Sequence, residues 1–283
     1  MTNSALFWNV WGHRNASDVN ATLENLLDVD VICLTEVTDA DALDIVSNGT
    51  NLVYGSRDEA PTQVDGYNQV GEVLCDTHGI SYASATRRNW RCEDTKVKFS
   101  SVGFGAVIAL RNDCKLISRG ESKYKTSDKD IKDRVLQWVV YEKQGIRYLV
   151  AHMHGVWIKD NTKGDHIVRD EQSRFVRNLL SMCAKKYSVR KIVFGGDFNL
   201  DIDTQALRIL EEGEDETDFK LINLIKEYSV INTRTSAYRE YGKVGRSMYA
   251  DYVLVSEDIG IDAFVVDSKN NASDHAPLIV HFN

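Results

Sequence analysis

Acids, amides and imidazoles stand at the ends of apolar runs along this chain. "KIVFGGDFNLD" closes on Asp197 and Asn199, and "LFWNVWG" carries Asn9 near its end. "VICLTEV" delivers Glu36, and "LVAHMHG" delivers His152 and His154. "ADYVLVS" brings Asp251, and "SDHAPLIVHF" brings Asp274 and His275. In an extended strand, residues two apart point the same way. Asp197 and Asn199 are therefore expected to project together past the last buried position, as are His152 and His154. Gly195 and Gly196 leave room there for another backbone or a ligand. A carboxylate beside an amide can bind a hydrated cation or a phosphate oxygen. Gathered at one edge, these strand ends would form a cluster of carboxylates, amides and imidazoles.

The apolar runs that must position them are short and mostly strand-like. "ALFWNVWG" and "DVDVICLTEV" read as strands, the second buried on both faces. Between them Ser17 caps a helical pattern with Val19, Leu23, Leu26 and Leu27 on one side. A short helix is expected at "TDADALDIVSNG". Residues 55–98 are polar and irregular, with one short helix near "NQVGEVLCD". "GFGAVIALR" reads as a strand, and "RVLQWVVYEKQGIRYLVAHMHG" as a hairpin turning at "EKQG". A long amphipathic helix fits Asp165 to Lys186 with Ile167, Phe175, Leu179 and Met182 inward. "KIVFGGDFN" is a strand, residues 204–211 and 217–228 are helical, and "YADYVLVS", "DAFVVDS" and "APLIVHF" are strands. Two sheets packed face to face, with helices on the outer sides, accommodate this order. The hairpins point to mixed sheets.

The chain has 283 residues, 43% hydrophobic and 27% charged, which is enough apolar material for a sizeable core. Only Pro61 and Pro277 occur, so no proline-rich linker divides it, and one domain over 1–283 is expected. Net charge is −8 and the isoelectric point about 5.4. A partner such as long nucleic acid would have to meet a local basic patch or a metal ion. The cysteines, Cys33, Cys75, Cys92, Cys114 and Cys183, show no paired metal spacing and read as buried thiols. The absence of a signal-peptide pattern and of a long apolar segment points to a cytoplasmic, monomeric protein without stable membrane insertion. The Asn-x-Ser/Thr matches at Asn15, Asn20, Asn48 and Asn271 are then chance.

"WNVWG", "LTEV", "HMHGVW", "RDEQ", "GGDFNLD", "ADYVLVS" and "SDHAPL" occur in this order almost end to end. The set resembles the endonuclease/exonuclease/phosphatase superfamily, the deoxyribonuclease-I-like fold. The resemblance implies a four-layered α/β/β/α sandwich of two mixed, mainly antiparallel sheets flanked by helices. It also implies metal-assisted hydrolysis of a phosphoester, with Mg²⁺ as cofactor and Mn²⁺ as an alternative. Glu36 would hold the metal, with Asn9 and Asp274 completing or buttressing the site. Asp197 would orient or deprotonate the attacking water, and Asp251 would pair with His275. Asn199 would donate to the phosphoryl oxygens, and His154, with His152 as the second choice, would protonate the leaving oxygen or hold a phosphate. Trp11 stands where many members carry an acid or an amide.

Arg169 and Gln172, from "RDEQ", would support the site. Arg234 and Tyr238, in "NTRTSAYREYGK", are candidate substrate contacts; Arg87, Arg88, Arg91, Lys96 and Lys98 around Trp90 could serve likewise, although a solvated loop is the slightly preferred reading there. The catalytic set is thus Asn9, Glu36, His154, Asp197, Asn199, Asp251 and His275. Arg169, Arg234 and Tyr238 are expected on the substrate side. A nuclease acting on DNA or RNA comes first. A phosphodiesterase or phosphatase for a lipid headgroup or small phosphoester comes second. A catalytically silent binding module is the reading from another class.

Overall fold

The first strand, β1 (Asn3–Asn9), sends Ala5 and Phe7 into one apolar cluster and Leu6 and Trp8 into another. β2 (Val31–Thr38) does the same with Val31 and Cys33 against Ile32 and Leu34, and β4 (Lys98–Arg111) with Ile108 and Leu110 against Val107 and Ala109. A sheet apolar on both faces must be covered on both. Helix α1 (Ala16–Glu24) covers one side through Val19 and Leu23, and a second sheet covers the other. The computed structural model describes residues 2–13, 15–38, 77–91, 98–127, 134–158, 163–214 and 219–283.

The remaining strands are β3 (His78–Arg91), β5 (Lys115–Tyr124), β6 (Arg134–Lys143), β7 (Ile146–His154), β8 (Lys191–Asp197), β9 (Leu221–Asn223), β10 (Asp251–Ser256), β11 (Ile261–Val266) and β12 (Leu278–Phe282). The first sheet runs β11-β12-β1-β2-β4-β3 and the second β5-β6-β7-β8-β10-β9. Both are mixed. β1–β2 and β7–β8 are parallel, and the other neighbours are antiparallel. Helices α2 (Ile167–Tyr187) and α3 (Gln205–Glu212) pack on the second sheet, and a single turn, α4 (Leu224–Glu227), follows β9. The protein is a four-layered α/β/β/α sandwich.

This pairing decides where the polar ends go. Parallel neighbours place their C-terminal ends side by side, so Asn9 meets the end of β2 and His154 lies in register with Asp197. Antiparallel β10 sets its first residue, Asp251, opposite Asp197. Antiparallel β12 brings the segment before it to the end of β1.

Several expectations change. The part of 55–98 described from residue 77 onward contains β3, fourteen residues paired with β4. β5 was not expected either; it is an edge strand whose side chains are mostly exposed or half-buried, so hydropathy does not mark it. The helices expected at 39–49 and near 68–76, and Lys96, lie outside the described residues. The helix expected over 217–228 is instead β9 followed by α4, because Asn223 pairs with Leu254 and its side chain caps the turn by accepting from Ile225 N at 3.0 Å.

Helix α2 is rotated from its expected face. Ile167 and Met182 are 61% and 69% exposed, while Val168, Arg169, Gln172, Ser173, Val176, Arg177, Leu180 and Cys183 are buried. The buried stripe is rich in polar groups because those groups have partners. Gln172 Oε1 accepts from Val156 N at 2.9 Å, and Arg177 donates to the Leu210 and Phe219 carbonyls. Apolar periodicity alone selects the wrong side. No helix among the described residues is long and apolar enough to cross a membrane.

Three glycines admit close approaches inside the sandwich. A Cβ on Gly195 would stand 2.7 Å from the Phe7 ring of the facing sheet. A Cβ on Gly196, at φ +124°, would stand 2.3 Å from Met153 O. The space at this "GG" thus belongs to protein rather than ligand. A Cβ on Gly155 would stand 1.9 Å from Phe198 O, in the turn whose Gly155 N donates to Asp197 O at 2.6 Å. Gly155→Ala is expected to lower unfolding free energy by about 3 kcal/mol. An unchanged urea midpoint would contradict this packing.

Candidate active site

Asp197, the last residue of β8, is buried and surrounded by polar partners. Its Oδ2 accepts from Asn9 Nδ2 at 2.9 Å, and its Oδ1 from the backbone N of Asn199 at 3.0 Å. His154 Nε2 and His275 Nε2 each lie 3.6 Å from Oδ2. Asn9 comes from the facing sheet, so the bond to Asp197 crosses the sandwich. Asn9 Oδ1 accepts from Trp11 N at 2.9 Å, which fixes the amide's orientation.

Glu36 reaches the same place through a bulge. The β2–β4 register shifts between Thr35 and Val37, and Glu36 sits between them with φ 58°. A bulge re-aims one side chain off the strand's alternation. A non-glycine residue held in the left-handed region is a strained position of the kind concentrated at functional sites. The Glu36 carboxylate lies 3.8 Å from His154 Nε2.

The segment before β12 supplies the other half. His275 Nδ1 lies 2.9 and 2.8 Å from the two carboxylate oxygens of Asp251. Trp8 Nε1 donates to the His275 carbonyl at 3.0 Å, and Ser273 Oγ to the Asn9 carbonyl at 2.6 Å, so β1 holds this segment in place. Burial is the main force that pushes His275 down to about 4 and Asp251 up to about 7. Taken singly, each is driven to its neutral form. In contact, the geometry favours a neutral imidazole beside a carboxylate. Nδ1 faces two acceptor oxygens and so carries the proton, and nearby Arg234 and Lys163 lower the carboxyl. The His275 Nε2 lone pair then faces Asp197.

His154 has the opposite tautomer. Arg134 Nη1 approaches its Nδ1 at 3.3 Å. A guanidinium only donates, so Nδ1 accepts and Nε2 carries the proton. The two imidazoles thus turn a donor and an acceptor toward one carboxylate, at distances longer than direct hydrogen bonds.

Asp274 is buried, and burial raises its carboxyl. Its Oδ2 meets Arg234 Nη1 at 3.2 Å. Its Oδ1 is buried without a hydrogen-bond partner, 3.7 Å from His275 Nε2. Ligand atoms of Asp197, Asp251 and His275 all lie within 4.8 Å of one another. An orphaned carboxylate oxygen and an oxygen-rich donor set fit a hard divalent cation. Asp30, Asp113 and Cys114 are also close, but there Lys143 and Arg111 already neutralise Asp30.

Asn199 departs from the expected strand geometry. β8 ends at Asp197, Asn199 has φ 53°, and its Nδ2 donates to Gly155 O at 3.2 Å. His152 is fully buried against Gln137, 2.9 Å from Oε1, away from the cluster's ion contacts. Arg169 is buried and donates to the Gly164 carbonyl, while Gln172 holds Val156. These two brace the loop that follows His154. Arg234 is buried at the cluster, with its guanidinium carbon 4.5 Å from the Tyr238 ring centroid. Of the basic group around Trp90, residues 87–91 lie on β3 and residue 98 opens β4.

Sequence reasoning missed Lys163 and Arg134. Burial first, and Arg234 second, lower the Lys163 amine to about 8. Neither residue carries a periodic or motif signal; each is a basic residue in or beside a loop.

The sequence profile of the Endonuclease/Exonuclease/phosphatase family matches residues 6–275. The chain belongs to this family. No curated protein matches it by sequence. Among solved structures it is similar to TDP2 from Caenorhabditis elegans (TM-score 0.64, 14% identity, covering 100% of this chain and 97% of that one). It is also similar to a mannosyl-6-phosphatase from Bacteroides thetaiotaomicron (0.63, 14%, 99% and 99%) and to ANGEL2, a 2′,3′-cyclic phosphatase (0.66, 15%, 100% and 95%). At such identities the likeness is one of fold. The family name spans nucleases and phosphatases, whose shared chemistry is phosphoester cleavage.

His152 gives the region a pH dependence separable from chemistry. Burial lowers its pKa from 6.5 to about 3, so between these values the unfolded chain binds the extra proton. Its contribution is complete above pH 6.5 and is lost as pH falls toward about 3. His152→Leu is expected to flatten the fall of unfolding free energy with acid by at most ~1.4 kcal/mol per pH unit, leaving the parallel contribution of His275. Urea unfolding across this range measures it, and identical slopes in both proteins would refute it.

Proposed function

We propose that residues 1–283 form one catalytic domain that hydrolyses phosphoesters with a divalent cation, Mg²⁺ first and Mn²⁺ as an alternative. Within that class the preferred reading is a nuclease acting on short or single-stranded DNA or RNA. What carries the hydrolase reading is the pair of opposite tautomers: an acceptor on His275 and a donor on His154, each 3.6 Å from Asp197.

The chain's own groups divide the reaction as follows. Asp197 orients the attacking water, His275 Nε2 takes its proton, and Asp251 holds His275 in the required tautomer and stabilises its charged form. The water oxygen bonds to phosphorus as the ester P–O bond opposite it breaks. His154 Nε2 gives its proton to the leaving oxygen, with Arg134 fixing the ring. The second amide N–H of Asn199 donates to a phosphoryl oxygen. Glu36, Asn9 and Asp274 would hold the cation, which when bound withdraws charge from the phosphoryl oxygens. Arg234 and Tyr238 contact the substrate, and Arg169 positions the loop after His154.

A net charge of −8 favours a small phosphoester or lipid headgroup as the second reading, since a long polyanion would be repelled outside the local basic groups. Plasmid, single-stranded oligonucleotide, RNA, a nitrophenyl phosphate and sphingomyelin, each with and without chelator, separate the two. Glu36→Ala and His275→Ala are each expected to lower metal-dependent turnover about a thousandfold. Full turnover in both variants would overturn this catalytic set, and no chelator-sensitive turnover on any ester would leave a binding module as the answer.

A further inference from the structure

Lys163 lies in the loop between β7 and α2, and its position is tightly specified. Its backbone has φ 65°, and its carbonyl accepts from Asp201 N at 2.9 Å. Its Nζ donates to the carbonyl of Tyr249, two residues before Asp251. The same Nζ is 5.8 Å from the Tyr238 ring centroid, the ring that the Arg234 guanidinium approaches to 4.5 Å. Two like charges therefore converge on one aromatic ring. Arg234 is buried, uses Nη1 on Asp274, and keeps a buried Nε without a hydrogen-bond partner.

The two cations have unequal partners. Arg234 is buried and Lys163 half-buried, and cations this close together repel unless anions compensate. Asp274 compensates Arg234, while the carboxylates of Asp197, Asp201 and Asp251 lend Lys163 only a field. An anion lodged between Lys163 and Arg234 would relieve the repulsion and receive charge-assisted hydrogen bonds from both. Tyr238 would give the attached sugar or base an apolar wall.

We propose that Lys163, Tyr238 and Arg234 form a subsite for a second phosphate, so that the favoured substrate carries another phosphate near the scissile one. The assignment rests on the phosphoesterase reading above. A polynucleotide meets this requirement through its neighbouring phosphate, and a small bisphosphate meets it through its second group.

Binding measured by calorimetry in chelator tests the subsite without turnover. Thymidine bisphosphate is compared with thymidine monophosphate, and a hexose bisphosphate with the hexose monophosphate. The parent protein is expected to prefer the bisphosphate about tenfold in at least one pair, and that pair identifies the substrate type. Lys163→Gln should abolish the preference and Lys163→Arg should retain it, with melting curves confirming the fold. If Lys163→Gln does not fold, Tyr238→Leu against Lys163→Arg makes the same comparison. No preference in the parent, or an undiminished one in folded Lys163→Gln, overturns the subsite. Preference without hydrolysis of any ester sinks the hydrolase reading alone, and hydrolysis without preference sinks the subsite alone.

Discussion

A carboxylate buried at the seam between two sheets has to be satisfied, and Asp197 is satisfied from both. Asn9 donates to it from the first sheet, and the backbone of Asn199 from the second. An unpaired buried carboxylate would be expensive, so the bond from Asn9 ties the rims of the two sheets at one spacing. Phe7, two residues before Asn9, packs where Gly195 has no side chain, two residues before Asp197. The apolar contact sets how closely the sheets approach, and the polar one finishes the same edge. The placement of Glu36, His154 and His275 around Asp197 depends on that approach.

Around this carboxylate the two imidazoles are distinguished by their outer partners. A guanidinium can only donate and a carboxylate only accept. Arg134 and Asp251 therefore leave His154 with a proton facing inward and His275 with a lone pair facing inward. Similar residues thus turn opposite hydrogen-bonding faces inward because of what stands behind them.

The frame recurs at low sequence identity. Solved structures with 14–15% identity share the frame over nearly all of this chain. An apolar sandwich tolerates wide substitution while volume and patterning are kept. A frame kept in this way can carry different functional sites.

The sequence alone determined the apolar runs, their period, and the polar residue closing each. That was enough for two sheets flanked by helices, for the hairpin at β6–β7, and for Asn9, Glu36, Asp197, Asp251 and His275 as a candidate set, because each is a local pattern. Tertiary structure decided everything set by a partner distant in sequence. β3 and β5 exist as strands because β4 and β6 pair with them, although their own hydropathy is weak. The face of α2 follows the carbonyls and amides that Gln172 and Arg177 find, not its apolar side chains. The bulge that turns Glu36 inward, the tautomers of His154 and His275, and the convergence of Lys163 and Arg234 on Tyr238 all arise between segments far apart in the chain. Periodicity records which residues avoid water, whereas hydrogen bonds and ion pairs depend on which groups the folded chain brings within three or four ångströms of one another.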